Sequence, residues 1–280
     1  MPAFLSRTCL AFLAVTLLLA APLRPAQAGD LSRAFLLPEL FEIMAEEGRR
    51  SAVADGEIPL QGRALAEFKR DVAAIYDAET MRAAFEASLM AELASQPDVL
   101  ADALDFAATE LGGRILRLEI SARAALLEDE IEEISRITLE EARDADGPRA
   151  ARLDMVRARI DANDLVDLNV SLGLNTSLAY YRGMLSAQAT QLLGADDLLS
   201  LVWSQEELLR ADIEDWIESY FLLAYQPLSD EDLRTYTEYL STPFAQAFNL
   251  AMFTAFDQVF SDLSVELGRV MGQGMVAEEL

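Results

Sequence analysis

The side chains that most often carry catalysis are nearly missing from this sequence. It has no His and a single Cys, Cys9, among 280 residues. Ser-His-Asp and Cys-His catalysis therefore has no base. Zinc sites of the usual Cys and His type, di-iron sites built on Glu-x-x-His and c-type haem attachment lack their ligands. The sequence also has no phosphate-binding or dinucleotide-binding glycine pattern, so the remaining candidates for chemistry are carboxylates.

Carboxylates could act in two ways, because paired Asp and Glu hydrolyse glycosides and clustered ones bind divalent ions. The densest acidic run, residues 128–133, has the spacing of a solvated helix face, as charge runs usually do. The best calcium-loop candidate, residues 144–147, fails because Ala142 and Leu153 occupy its first and twelfth ligand positions. We predict no catalytic, metal-binding or cofactor-binding residue.

One short aromatic and basic segment is the candidate partner-binding site. Tyr180 and Tyr181 are adjacent, so on a helix they point about 100° apart and cannot share one narrow apolar stripe. Either one tyrosine is exposed or the helix is buried on two sides. Tyr and Arg are enriched in the energetic centres of protein interfaces. Tyr180, Tyr181 and Arg182 are therefore predicted to contact an envelope protein partner.

Two further features have ordinary structural interpretations. Glu119 and Arg123 are four residues apart with the acid first, which predicts a stabilising ion pair on a helix surface. Trp216 lies on the apolar stripe of its helix, which predicts a core position.

The first 28 residues have the pattern of a cleavable secretory signal peptide. Arg7 is followed by an apolar run from Cys9 to Ala21 and then by Ala26-Gln27-Ala28, a small-x-small cleavage site. The run is shorter than the ~20 residues that a membrane-spanning helix needs. We expect a mature chain of residues 29–280 without Cys in the periplasm, with secretion beyond it as an open alternative.

The chain is strongly acidic. Its net charge is −26, and removing residues 1–28, which hold Arg7 and Arg24 but no acid, makes it −28. This balance argues against nucleic acid, which binds through Lys and Arg, and against anionic membrane surfaces. The simplest explanation of the acidity is that it keeps the protein soluble. The alternative is that it serves a cationic partner or a divalent ion. Oligomeric state is not predicted.

Apolar residues recur at helical spacing almost throughout, which predicts an all-α bundle of about nine or ten helices in a single domain, 29–280. Long helices are expected at 114–142, 149–170 and 175–193. The expected boundaries are a kink at Pro38, a break at Gly112-Gly113, a turn at residues 146–148, capping boxes at Ser204–Glu207 and Ser229–Asp232, and an N-cap at Thr242 before Pro243.

A weak internal duplication appears when the sequence is shifted by 133 residues. Phe106 then meets Tyr239, Thr109 meets Thr242 and Gly112 meets Ala245. Both copies show a short helix, a break with a small residue, and a long amphipathic helix. This pattern predicts two similar halves, 29–146 and 147–280, although apolar periodicity alone can align amphipathic helices.

Residues 239–245, which follow the acidic helix start 229–233, resemble the hallmark of an uncharacterised exported bacterial family, domain of unknown function 2059. That hallmark is approximately Phe-Tyr-x-Ser-Pro-x-Gly, and this chain departs from it at Leu240 and Ala245. Residues 106–112 look like a degenerate first copy. The resemblance covers about 229–260 and implies an exported helical fold but no activity.

These features favour a non-enzymatic envelope protein that acts by binding. A carboxylate-dependent envelope enzyme or a divalent-metal-binding protein is the alternative. It would require two or more acids that converge in a partly apolar pocket.

Overall fold

The computed structural model describes residues 25–187 and 195–278. All regular structure in these residues is helical, so the predicted all-α class is confirmed. These two described ranges already contain more helices than the nine or ten predicted, namely thirteen α-helices and one short 3-10 helix, Leu93–Ser95. The α-helices are α1 (Pro25–Ala34), α2 (Leu37–Gly56), α3 (Gly62–Ile75), α4 (Ala78–Glu92), α5 (Pro97–Ala108), α6 (Glu110–Ala125), α7 (Asp129–Arg143), α8 (Pro148–Asp161), α9 (Leu165–Ala187), α10 (Ala195–Trp203), α11 (Glu206–Ala224), α12 (Asp230–Leu240) and α13 (Pro243–Glu278).

Single-residue reversals of the backbone account for part of the difference. Leu36 has φ 53° and separates α1 from α2, while Pro38 lies in the first turn of α2, where its ring is tolerated. Asp164 has φ 50° and ends the predicted helix 149–170 early. The predicted helix 114–142 is divided between α6 and α7. Apolar periodicity does not reveal such breaks because the stripe continues on both sides of them.

Side-chain caps fix several helix starts. The Ser229 side chain accepts from the Asp232 amide at 3.1 Å, and the Asp232 carboxylate accepts from the Ser229 amide, so this predicted capping box is confirmed. Thr242 accepts from the Ala245 amide at 3.3 Å, as predicted for an N-cap. Pro148 begins α8, so the turn at residues 146–148 is confirmed.

Two expected boundaries were wrong. The Ser204 hydroxyl donates backwards to the Leu201 carbonyl at 2.7 Å, and Gln205 precedes α11 without a side-chain cap. Gly112-Gly113 lies inside the first turn of α6 and does not separate helices. The break comes at Thr109, whose hydroxyl accepts from the Gly112 amide at 2.9 Å.

The longest helix, α13, packs along α9 with very close backbones. A Cβ on Gly183 would lie 2.0 Å from the Val265 carbonyl oxygen, and one on Gly268 would lie 1.9 Å from that of Tyr180. Only glycine allows this approach.

The two main core clusters each combine helices from distant parts of the chain. One combines α1, α2, α4 and α5 with α13 and includes Phe41, Phe85 and Phe248. The other combines α6 with α8, α11 and α12 and includes Ile115 and Tyr225. The C-terminal helix thus packs among the N-terminal helices, whereas α6 packs among later ones. Because each cluster includes a helix from a distant part of the chain, the two clusters meet at a junction.

Most of the predicted signal peptide, including Arg7 and the apolar run Cys9–Ala21, lies outside the described residues. Ala26, Gln27 and Ala28 lie in α1. Within the described ranges, no helix combines the length and apolar character needed to cross a membrane.

Candidate functional site

A cleft of about 370 Å³ opens at the junction of the two core clusters. Side chains from α2, α6, α8, α9, α11 and α13 line it, and most of them are Leu, Ile, Met or Phe. A second cavity of about 140 Å³ adjoins it near Phe106, Tyr236 and Tyr239. The side chains that line both spaces are Phe35, Leu116, Glu119, Arg159, Asn249 and Met252.

The guanidinium of Arg159, on α8, is the central polar group of this site and is only 6% exposed. Its Nε donates to the Tyr225 hydroxyl at 2.9 Å, and its Nη2 donates to the Tyr236 hydroxyl at 3.4 Å. The cation also lies 4.0 Å from the centroid of the Phe221 ring, a favourable cation–π contact. Aromatic side chains therefore hold Arg159 on several sides.

Glu119, on α6, supplies the opposing charge. Its Oε1 accepts from the Tyr225 hydroxyl at 2.6 Å and from the Tyr236 hydroxyl at 3.3 Å, and it lies 3.7 Å from Arg159 Nη2. The Tyr220 hydroxyl donates to the Glu119 backbone carbonyl at 3.0 Å. The result is one buried network that joins α6, α8, α11 and α12.

The network determines which groups carry charge. Burial raises the pKa of Tyr220, Tyr225 and Tyr236 well above 10, so all three are neutral phenols at physiological pH. Burial alone would lower the pKa of Arg159. The phenol oxygens and Glu119 more than offset this effect, so its pKa is raised and it stays charged.

One nitrogen of Arg159 takes no part in these hydrogen bonds. The Nη1 of Arg159 is buried and has no hydrogen-bond partner among the described residues. Buried side-chain donors in proteins are normally satisfied, and leaving one unmet costs about 1–3 kcal/mol or more for a charged group. Because Arg159 lines both cavities, this donor is the feature of the site that most needs a functional explanation.

A second arginine, Arg123, also lines the cleft. Arg123 forms a two-pronged ion pair with Glu47 of α2, at 2.6 and 3.0 Å. Its guanidinium also lies 5.5 Å from the Trp216 ring centroid, and Trp216 stacks on Tyr220 with ring centroids 5.2 Å apart. These contacts tie α6 to α2 and α11 next to the cleft.

Two sequence predictions fail at this site. Glu119 and Arg123 form no ion pair with each other, because each finds a better partner on another helix. Trp216 is not a core residue, since it lines the cleft and is 36% exposed. In both cases the prediction used spacing along one helix. The actual surroundings of these side chains are set by how the helices pack against each other.

The predicted partner-binding segment lies elsewhere, on α9. Tyr180 packs against the cluster formed by α2, α3 and α13, and Tyr181 packs against α9–α11 side chains, so this helix is buried on two sides. Their rings meet edge to face at 5.7 Å. Burial, with Asp55 nearby, raises the pKa of Tyr180 to about 12. Arg182 is exposed. The partner-binding role of Tyr180, Tyr181 and Arg182 stays a prediction.

Apart from Glu119, the acidic residues in the described part of the chain do not line the cleft. Residues 128–130, 132 and 133 are exposed, as predicted for a solvated face. Asp161, Asp164, Asp167 and Glu214 line a separate surface hollow, where Arg210 donates to Asp167 at 2.6 Å. In the part of the chain that the structure describes, no group of three or more acidic, His or Cys side chains is arranged to hold a metal ion.

Sequence reasoning overlooked Arg159, although a signal was present. Leu153, Val156 and Ile160 are all buried, and Arg159 lies three residues after Val156 on the same face. A charged residue within an apolar stripe is rarely fully buried unless it is paired. The partners lie 40 or more residues away along the chain, so their identity could not be read locally.

Comparison with protein-family models, curated proteins and solved structures finds no match for this chain. The resemblance to domain of unknown function 2059 therefore stays a prediction.

Proposed function

We propose that this chain is a non-enzymatic binding protein whose central cleft holds a small molecule with an apolar body. The observation that carries the proposal is the cleft of about 370 Å³ between the two core clusters, with its largely apolar lining. Small-molecule sites typically combine such a lining with a few convergent polar groups. Here those groups include the charged side chains of Glu119, Arg123 and Arg159.

The lining favours binding over hydrolysis. Glycoside hydrolysis by carboxylates uses a pair of them on either side of the bond that is cleaved. Of the described residues, Glu119 is the single carboxylate that lines either cavity. Its Oε1 already accepts from two phenols and faces Arg159, an arrangement that suits a structural counter-ion.

A neutral apolar fluorophore, N-phenyl-1-naphthylamine, tests the proposal. We expect the fluorophore to bind saturably. Its fluorescence is excited at wavelengths longer than those that tryptophan absorbs. Met252→Trp, which fills the wall shared by both cavities, should abolish it. Leu250→Trp on the same helix is the matched control, because Leu250 is 57% exposed, and it should bind normally. Absence of binding by the wild type, or equal binding by both variants, would overturn the proposal.

We further propose that the protein acts in the periplasm after removal of residues 1–28. The support is the pattern of Arg7, the apolar run and Ala26-Gln27-Ala28. Mass spectrometry of the protein from a bacterial periplasmic extract should find Gly29 at its N-terminus. A cytoplasmic protein that retains residues 1–28 would contradict the proposal.

A further inference from the structure

We propose that the ligand of the cleft presents an uncharged carbonyl oxygen, as in an ester or amide, to Nη1 of Arg159. This inference rests on the proposed function and specifies the polar part of the ligand.

The first argument is the unmet donor. Arg159 Nε and Nη2 already donate to Tyr225 and Tyr236, and only Nη1 has no partner among the described residues. A donor needs an acceptor, so an oxygen-bearing ligand fits and a ligand with only donor groups does not.

The second argument is local charge. Of the described residues, three charged side chains line the two cavities, Glu119, Arg123 and Arg159. Glu119 lies 3.7 Å from Arg159, and Arg123 is held in the two-pronged pair with Glu47. Both arginines are therefore already balanced. An added carboxylate would bring an uncompensated negative charge into an apolar site, which is unfavourable, whereas a carbonyl oxygen accepts the hydrogen bond without adding charge.

The third argument is the position of Arg159 between two apolar spaces. It lines both the larger cleft and the smaller cavity. Phe35, Leu116 and Met252 accompany it in both linings. A carbonyl inside the ligand, with an apolar arm on either side, matches this arrangement. A terminal carboxylate has an apolar arm on one side only.

Isomeric ligands provide the test. Hexyl butanoate and decanoic acid have the same atoms, but the ester is neutral and the acid is ionised at neutral pH. Decylammonium offers a cation with no acceptor. The Trp203→Phe variant leaves Trp216, in the cleft lining, as the single tryptophan reporter, because the chain has two. We expect the ester to bind at least about tenfold more tightly than decanoate, with decylammonium weaker still.

Glu119→Gln tests the charge argument directly. It preserves the size of the side chain and an oxygen acceptor for Tyr225 but leaves the charge of Arg159 unbalanced. Decanoate should then gain affinity relative to the ester by about tenfold or more. Glu86→Gln is the matched control, because Glu86 is as exposed as Glu119 (both 17%) and pairs with Arg82, and neither Glu86 nor Arg82 lines the two cavities. It should leave the wild-type preference unchanged. Thermal unfolding of each variant confirms that it is folded.

The outcomes separate this inference from the proposed function. Tighter binding of decanoate by the wild type, or an unchanged preference in folded Glu119→Gln, overturns the carbonyl assignment. Binding of N-phenyl-1-naphthylamine without binding of hexyl butanoate also overturns it, while the apolar cleft function stands. Failure to bind the fluorophore as well means that the proposed function itself is wrong.

Discussion

The rings of Phe106 and Tyr239 stack on each other, with centroids 3.8 Å apart and planes 6° apart, although the residues are 133 positions apart in the sequence. They occupy positions that the predicted internal duplication would make equivalent. Each precedes a threonine by three residues, and the amides of Thr109 and Thr242 donate to the Phe106 and Tyr239 carbonyls at 3.0 and 2.9 Å. The duplication stays a prediction, and the structure shows that the two aromatic residues it would pair lie face to face.

The stacked pair should be energetically coupled. A double-mutant cycle with Phe106→Leu and Tyr239→Leu is expected to give a coupling of about 0.5–1.5 kcal/mol in the free energy of unfolding, as for other aromatic pairs. Tyr239→Phe is the control, because it removes only the hydrogen bond that the hydroxyl donates to Asp102 at 3.1 Å. Additive effects in urea unfolding would show that the stack contributes no specific energy.

Gly268→Ala should be strongly destabilising. Its Cβ would lie 1.9 Å from the Tyr180 carbonyl oxygen, so α9 and α13 would have to separate. We expect a loss of about 3 kcal/mol in the free energy of unfolding. Gly173→Ala should be nearly neutral, since its Cβ meets only the mobile end of the Leu209 side chain. Equal losses in the two variants would indicate that the close backbone approach is unimportant.

The buried phenols should make the protein sensitive to alkali. Because burial raises the pKa of Tyr220, Tyr225 and Tyr236 above 10 in the folded state, the folded protein holds protons that the unfolded chain releases above pH 10. The contribution of these protonated phenols to the free energy of unfolding is complete below pH 10 and is lost as the pH rises further. Denaturant unfolding at increasing pH measures this decline.

Tyr225→Phe should make the loss of stability above pH 10 less steep. At neutral pH the variant should be less stable than the wild type, because Glu119 loses a hydrogen-bond donor. The absorbance of ionised tyrosine gives an independent readout. These phenols should titrate only as the protein unfolds, and ionisation near pH 10 with the fold intact would contradict the assignment.

Removing one partner of the buried ion pair between Arg159 and Glu119 should destabilise the fold more than removing both. Arg159→Met leaves the Glu119 carboxylate without its counter-charge and should cost about 3–5 kcal/mol in the free energy of unfolding. Adding Glu119→Leu removes the stranded charge and should recover part of that loss. Further destabilisation in the double variant, measured by chemical denaturation, would mean that packing and not charge dominates this position.

Local signals in the sequence predicted much of the fold. The Ser229 capping box, the Thr242 cap and the Gly147-Pro148 turn depend on residues within a few positions of each other, and the structure confirms each one. The helical spacing of apolar residues also holds in α13, where Phe248 and Phe256 pack in the first core cluster. Helix number was underestimated because reversals such as that at Asp164 leave the apolar stripe unbroken.

The candidate site could not be predicted in the same way. Glu119 and Arg123 have the spacing of an ordinary surface pair, yet Glu119 faces Arg159 and Arg123 pairs with Glu47. Which partner a long charged side chain reaches depends on which helices lie beside it, and that is a property of packing between helices.

The sequence by itself determined the helical class, most caps and turns, the acidic balance and the scarcity of catalytic residue types, because these depend on composition and on contacts within a few residues. Tertiary structure alone decided that α6 and α13 pack among helices remote in sequence and that a cleft lies between the resulting cores. It also decided that Arg159 is buried there with one donor unmet. Those features arise from contacts across 40 to more than 100 residues, which no local pattern specifies.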